Sequence, residues 1–243
     1  IPFSNPDINE KDIKSVADVI RSGWLTHGNY SKLLEDLFCQ YTGAKFATTV
    51  SNCTAGLHLS CLAAGFSNND EVIVPAQTHV ATAHAVEYTG AKPIFVDVNS
   101  VSGNLQIELI HSKISEKTKG IIPVHMAGYP CDMKGIKKIC KDYNLTLIED
   151  CAHSIGSIFN NTHVGNFGKA GCFSFYPTKQ ITTGEGGVII TNNKNFYHQV
   201  KKLKAFGIDK DIKDRKLPGK YDVKKLGFNY RMTELHAAMG LLQ

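Results

Sequence analysis

Apolar and polar positions fall along this chain in blocks of two kinds. Between residues 9 and 21, Ile13, Val16, Ala17 and Ile20 recur at helical spacing, and Gly23 ends the run. After a loop at 24–29, residues 31–41 repeat that amphipathic pattern. Short apolar runs bounded by turn residues then predict strands over 46–50, 71–74, 93–98, 120–124, 146–149, 172–175 and 188–191. Helical spacing fills the intervals at 54–64, 78–88, 106–113 and 133–143, and a last helical pattern over 233–243 has no stop signal. Short strands alternating with helices of about ten residues predict the α/β class, a mostly parallel sheet covered on both faces. No internal repeat or low-complexity segment interrupts the alternation.

Composition narrows the class without changing it. The 243 residues can bury a sizeable core, and 42% hydrophobic with 20% charged residues is ordinary for a soluble globular protein. No apolar run approaches the roughly 18 residues of a membrane span, and no signal-peptide pattern opens the chain. The start at Ile1 and the unfinished helix at 233–243 lead us to expect a trimmed chain whose C-terminal part is missing. The seven cysteines include no CxxC pair; they read as reduced, buried thiols of a cytoplasmic protein, with no disulfide frame and no metal site. Eleven Lys and Arg face four Asp between residues 194 and 225. That excess reads first as a solvated face and next as attraction for a small anion. Nucleic acid is disfavoured, because the net charge of the chain is a modest +5.

In open α/β sheets ligands sit beyond the carboxyl ends of the strands, and the chemically capable residues fall there. The strand at 46–50 runs into SNCTAGLHL, where a helix opening at Thr54 and Ala55 offers amides and a dipole to a phosphate. A plain N-cap by Ser51 or Thr54 explains the same residues. The strand at 71–74 leads to His79, that at 146–149 to Asp150 and His153, and that at 172–175 to Lys179. Glycines at 184, 186 and 187 follow the lysine and let backbone approach a ligand closely. Dinucleotide, nucleoside triphosphate and Ser–His–Asp signatures are absent. Pyridoxal phosphate (PLP) accounts for the set: it needs a lysine for its Schiff base, an acid against its pyridine nitrogen and a seat for its phosphate.

The segments SNCTAGLHLSCLAAG, IIPVHMAGYPCDM, IEDCAHSIGS, FSFYPTKQITTGEGG and GFNYRMTELHAAMG together resemble the DegT/DnrJ/StrS family of PLP-dependent sugar aminotransferases. The resemblance implies the type I aminotransferase fold, with a seven-stranded, mainly parallel sheet. It implies a helix and arm at 1–25, a PLP-binding large domain at 26–230, and at 231–243 the start of a helix leading to a small domain. It makes Lys179 the Schiff-base lysine, Asp150 the acid at the ring nitrogen and Ser174 a phosphate ligand, with Thr54 and Ala55 supplying phosphate-binding amides. His79 would stack on the ring, and His153 would lie near the ring and its hydroxyl. Asn229 would reach the phosphate of a neighbouring subunit, in a homodimer with shared sites. Cys53 departs from the family, where glycine is common. The implied reaction passes an amino group from an amino acid, glutamate foremost, to a keto carbon of a nucleotide-linked sugar. Other PLP chemistry of the same fold is the alternative, sugar dehydration included, although those relatives carry His at the lysine position. A non-catalytic PLP-binding regulator is the third reading.

Overall fold

The computed structural model describes residues 4–209, 217 and 220–243. Capping groups set the ends that apolar periodicity leaves loose. Helix α1 (Glu10–Ser22) starts where Asn9 accepts from the Lys11 amide and Asp12 takes the Asn9 amide, each at 2.8 Å, and it stops at left-handed Gly23. Helix α2 (Asn29–Thr42) has no side-chain cap from its own N-cap, Gly28. The elements that follow are β1 (Phe46–Val50), α3 (Cys53–Ala64), β2 (Glu71–Pro75), α4 (Ala81–Glu87), β3 (Lys92–Val96), α5 (Ile107–Ile110), β4 (Thr118–Ile121), α6 (Met133–Asp142) and β5 (Thr146–Asp150). A two-residue hairpin, β6 (Ile158–Phe159) and β7 (Thr162–His163), precedes β8 (Ala170–Ser174), β9 (Gly187–Thr191), α7 (Lys194–Leu203) and α8 (Glu234–Gly240).

Seven strands form the main sheet in the order β1-β9-β8-β5-β4-β2-β3. Only β9 runs against the rest, pairing antiparallel with β1 (Phe46 opposite Thr191) and with β8 (Ser174 opposite Gly187). Helices pack on both faces, as the alternating pattern predicts. One side of the core gathers Leu57, Leu59, Ile148 and Ile189 beneath α3, and another gathers Leu34, Phe38, Phe173 and Phe175 beneath α2. Alternation along β5 sends its two adjacent carboxylates to opposite faces. Glu149, wholly buried, accepts the amides of Gly165, Phe167 and Gly168 at 2.7–2.8 Å and meets His125 Nε2 at 3.2 Å. It staples the loop before β8. Asp150 is left to face the carboxyl edge.

Several elements differ from the sequence expectation, each for a local reason. The helix expected at 78–88 begins only at Ala81, because the His79 ring accepts the Ala81 amide (3.2 Å) and holds the preceding residues in a loop. The helix expected at 106–113 is α5 followed by a 3-10 turn, His111–Lys113. Past β4, Val124 touches Asp150 only through a single bridge. Helix α8 ends at Gly240, short of residue 243. The basic stretch contains a regular helix, α7, with Phe196, Val200 and Leu203 buried; its residues 210–216, 218 and 219 lie outside the described residues. All seven cysteines are free, six buried and Cys39 half-buried. Among the described residues, no helix is long and apolar enough to cross a membrane.

Candidate active site

Six strands share one direction, so their carboxyl ends meet along one edge, and a cavity of about 760 Å³ opens there. Its walls come from the residues that leave β1, β2, β5 and β8. Of the residues expected to form the site, Thr54, Ala55, His79, Asp150, His153, Ser174 and Lys179 all line it. Asn229 does not: it is exposed, bridges backbone to backbone with Ala205, and only its neighbour Tyr230 reaches the cavity.

Asp150 ends β5 only 4% exposed. Its Oδ2 accepts from Thr82 Oγ1 at 2.8 Å and its Oδ1 from the Ala152 amide at 3.1 Å. Each carboxylate oxygen has two lone pairs, so the group retains capacity for a ligand N–H. Lys179 sits on the loop between β8 and β9. That loop is stitched across its base, where the Phe175 amide donates to Gly186 O (3.0 Å) and the Thr183 amide and Thr182 hydroxyl both donate to Phe175 O. The Lys179 amide closes a tight turn on Tyr176 O at 2.9 Å. Burial lowers the pKa of its half-buried amine, opposed first by the Asp150 carboxylate. His153 is also lowered, first by burial and then by the Lys179 charge, with Asp150 opposing and His79 assisting.

The helix start is built differently from the expectation. Asn52, not Ser51 or Thr54, is the N-cap of α3, and its Oδ1 accepts the Ala55 amide at 2.8 Å. The Ala55 amide is therefore occupied, and Thr54 is the half-buried residue of that turn on the cavity. Cys53 opens the helix with ordinary backbone angles, so the departure from glycine costs no strain. The glycines after Lys179 serve the protein's own packing. Only Gly184 has a positive φ (78°), and a Cβ on Gly187 would lie 2.9 Å from the Cys53 amide nitrogen. Gly187 lets the start of α3 approach β9, and so positions the helix terminus over the sheet edge.

Sequence reading missed several residues in or behind the cavity wall. Thr82 follows Thr78 by one helical turn, and their hydroxyls lie 3.2 Å apart. Two hydroxyls four positions apart, on either side of the helix start, were the available signal. Glu185 lines the cavity from the turn before β9. Tyr230 accepts the Ser51 amide on its carbonyl at 2.9 Å, and its hydroxyl lies 3.3 Å from His58 Nδ1. Nothing local in the sequence announces that pairing.

The sequence profile of the DegT/DnrJ/EryC1/StrS aminotransferase family matches residues 6–243. The chain belongs to this family. GDP-perosamine synthase of Escherichia coli O157:H7 is 42% identical over 244 residues, covering 100% of this chain and 65% of the relative. Among solved structures, Helicobacter pylori PseC, an aminotransferase involved in pseudoaminic acid biosynthesis, superposes with a TM-score of 0.92 at 32% identity, covering 100% of this chain and 64% of PseC. The PMP form of Spr1654 from Streptococcus pneumoniae, a sugar aminotransferase by its description, gives 0.93 at 32%, covering 100% and 66%. The chain spans 64–65% of the length of the curated relatives it matches. For a family member the donor set fits PLP: an amine of lowered pKa, a buried carboxylate with free lone pairs, and a helix start with Ser174 beside it. The cavity volume is in the range of small-molecule sites.

Proposed function

We propose that this chain is the cofactor-binding part of a PLP-dependent aminotransferase. It would move an amino group from an amino acid, with glutamate as donor, to a keto carbon of a nucleotide-linked sugar. The observation that carries the reading is the meeting of Lys179, Asp150 and the α3 start on one cavity, in a chain of an aminotransferase family. When bound, PLP supplies an aldehyde and an electron-accepting ring. Lys179 Nζ holds the cofactor and, once released, takes and returns the proton at the substrate carbon. Asp150, braced by Thr82, holds a proton at the ring nitrogen. Ser174 and the first turn of α3 seat the phosphate, with Thr54 offering its amide and Ala55 joining if Asn52 yields. His79 would lie against the cofactor ring, and His153 would lie near its hydroxyl.

Residues 26–230 form the PLP-binding domain in this reading, behind an N-terminal helix and arm, and α8 begins the path to a small domain. The working unit is a homodimer in which Asn229 serves the partner's site. Seven unpaired cysteines suit a cytoplasmic setting.

The test uses the full-length protein loaded with PLP. Adding L-glutamate should convert the absorbance of lysine-held cofactor to that of its amine form, and Lys179→Ala should lack the lysine-held band from the start. A spectrum unmoved by glutamate and by every other amino acid overturns transamination. A panel of nucleotide-linked 3-keto and 4-keto sugars, scored by reversal of that change, then identifies the acceptor.

A further inference from the structure

The turn after β4 holds an alanine in a left-handed conformation beside the cavity, and the proposed chemistry gives it no role. Residues Met126–Gly128 form a tight 3-10 turn in which Ala127 has φ 50° and ψ 24°. Side chains bearing a Cβ disfavour that region, so the surroundings must impose it. One side chain grips the turn at both ends. Asn104, 6% exposed, accepts the Met126 amide on Oδ1 and donates Nδ2 to Tyr129 O, each at 3.0 Å. Ser157 Oγ donates to Gly128 O at 2.6 Å, and the His125 amide donates to Asp150 O at 3.2 Å. The turn is thereby fastened to the end of β5.

The consequence falls on His153. In its left-handed conformation Ala127 directs its amide at His153 Nδ1, 3.3 Å away. A ring nitrogen that accepts an N–H carries no proton, so neutral His153 has its proton on Nε2. The backbone of the same residue is held as well, because His153 O accepts from Gln180 Nε2, next to Lys179.

We infer that Asn104 and the left-handed turn at Ala127 are a tautomer-setting device, holding His153 so that Nε2–H is the donor offered to the cavity. A donor N–H beside Lys179 suits an oxygen acceptor on a bound ligand, such as the phenolic oxygen of PLP; that last step alone rests on the proposed function. Asn104 and Ala127 are positioning residues, acting through His153. The titratable groups that face the ring come from three elements. Lys179 after β8 and His79 after β2 oppose a second ring proton, and Asp150 at the end of β5 favours one. Burial opposes it too, in keeping with a neutral ring.

The test reads the ring directly. Full-length protein labelled with ¹⁵N-histidine, without cofactor or substrate, should show one His153 tautomer at neutral pH, with Nδ1 unprotonated and Nε2 protonated. The resonances are assigned by their loss in His153→Gln. Ala127→Gly keeps the amide and should keep that single tautomer. Asn104→Ala should mix the tautomers and weaken PLP binding about threefold to tenfold, the worth of one hydrogen bond. In the His153→Gln background, Asn104→Ala should weaken PLP further by less than about twofold, because the route through the ring is gone. A wild-type ring protonated at Nδ1 overturns the inference. So does an Asn104→Ala ring identical to wild type, or an undiminished loss in the double variant. If Asn104→Ala fails to fold, the wild-type and Ala127→Gly spectra decide. No turnover enters the spectra, so they test the tautomer even where transamination itself fails.

Discussion

At Lys179 two effects of opposite sign act on one amine. Burial disfavours the ammonium form, while the Asp150 carboxylate stabilises it, and burial is the larger. A lysine with lowered pKa sheds its proton at lower pH than a free lysine, so its neutral, nucleophilic form is more abundant at any given pH. Without cofactor, labelling of Lys179 by a small amine-reactive reagent should therefore rise with pH about a midpoint below the ~10.4 of an unperturbed lysine. Asp150→Asn removes the largest opposing charge, so it should move that midpoint lower still. A midpoint at or above the free-lysine value, or an upward move in Asp150→Asn, would show that desolvation does not control the amine. Lys179 and Asp150 were legible in the sequence because each follows a short buried strand, where the topology places functional groups. Thr82, which braces Asp150 across 68 positions, was not, because only the folded sheet brings the two together.

Elements were legible in their interiors and less so at their ends, and the caps explain why. Strand β1 occupies the span that its apolar run predicts. Helix α2 illustrates the other case, since the residue at its N-cap is Gly28, with no side chain to offer. Its first-turn amides are taken from the far end of the chain. Glu234, 2% exposed in α8, accepts the Tyr30 amide at 2.8 Å and the Ser31 amide and hydroxyl at 2.9 and 2.6 Å. A carboxylate at that terminus also meets the positive end of the helix dipole. Glu234→Gln keeps the shape but removes the charge and one acceptor oxygen, so it should cost about 1–3 kcal/mol in urea unfolding. Unfolding within a few tenths of wild type would show that solvent caps α2 equally well. Gly187 likewise acts between elements: the close approach of α3 to β9 that it permits is a contact across the sheet edge, which a local reading of GEGG takes for ligand space.

For the whole molecule, fold class and the outline of the site follow from the same regularity. Alternating strands and helices dictate a parallel sheet, its carboxyl edge gathers what leaves the strands, and seven of the expected residues line one cavity there. The pairings that finish the site stayed hidden, because Glu149 with the amides of Gly165, Phe167 and Gly168, and Tyr230 with His58, depend on contacts that no periodicity encodes. Asn229 stands apart, exposed and off the cavity of its own chain, while Tyr230 beside it is tied to the start of α3 through Ser51. An exposed asparagine on a segment anchored next to the start of α3, yet off the cavity of its own chain, suits the proposed service to a second subunit. Complementation decides the point. Full-length Lys179→Ala and Asn229→Ala proteins should each be impaired. Unfolded and refolded together, they should recover about a quarter of the wild-type rate: random pairing makes about half the dimers mixed, and one of the two sites in each is intact. If Asn229 acts within its own chain, every site in a mixed dimer carries one defect, and the mixture will show no more activity than the average of its two components.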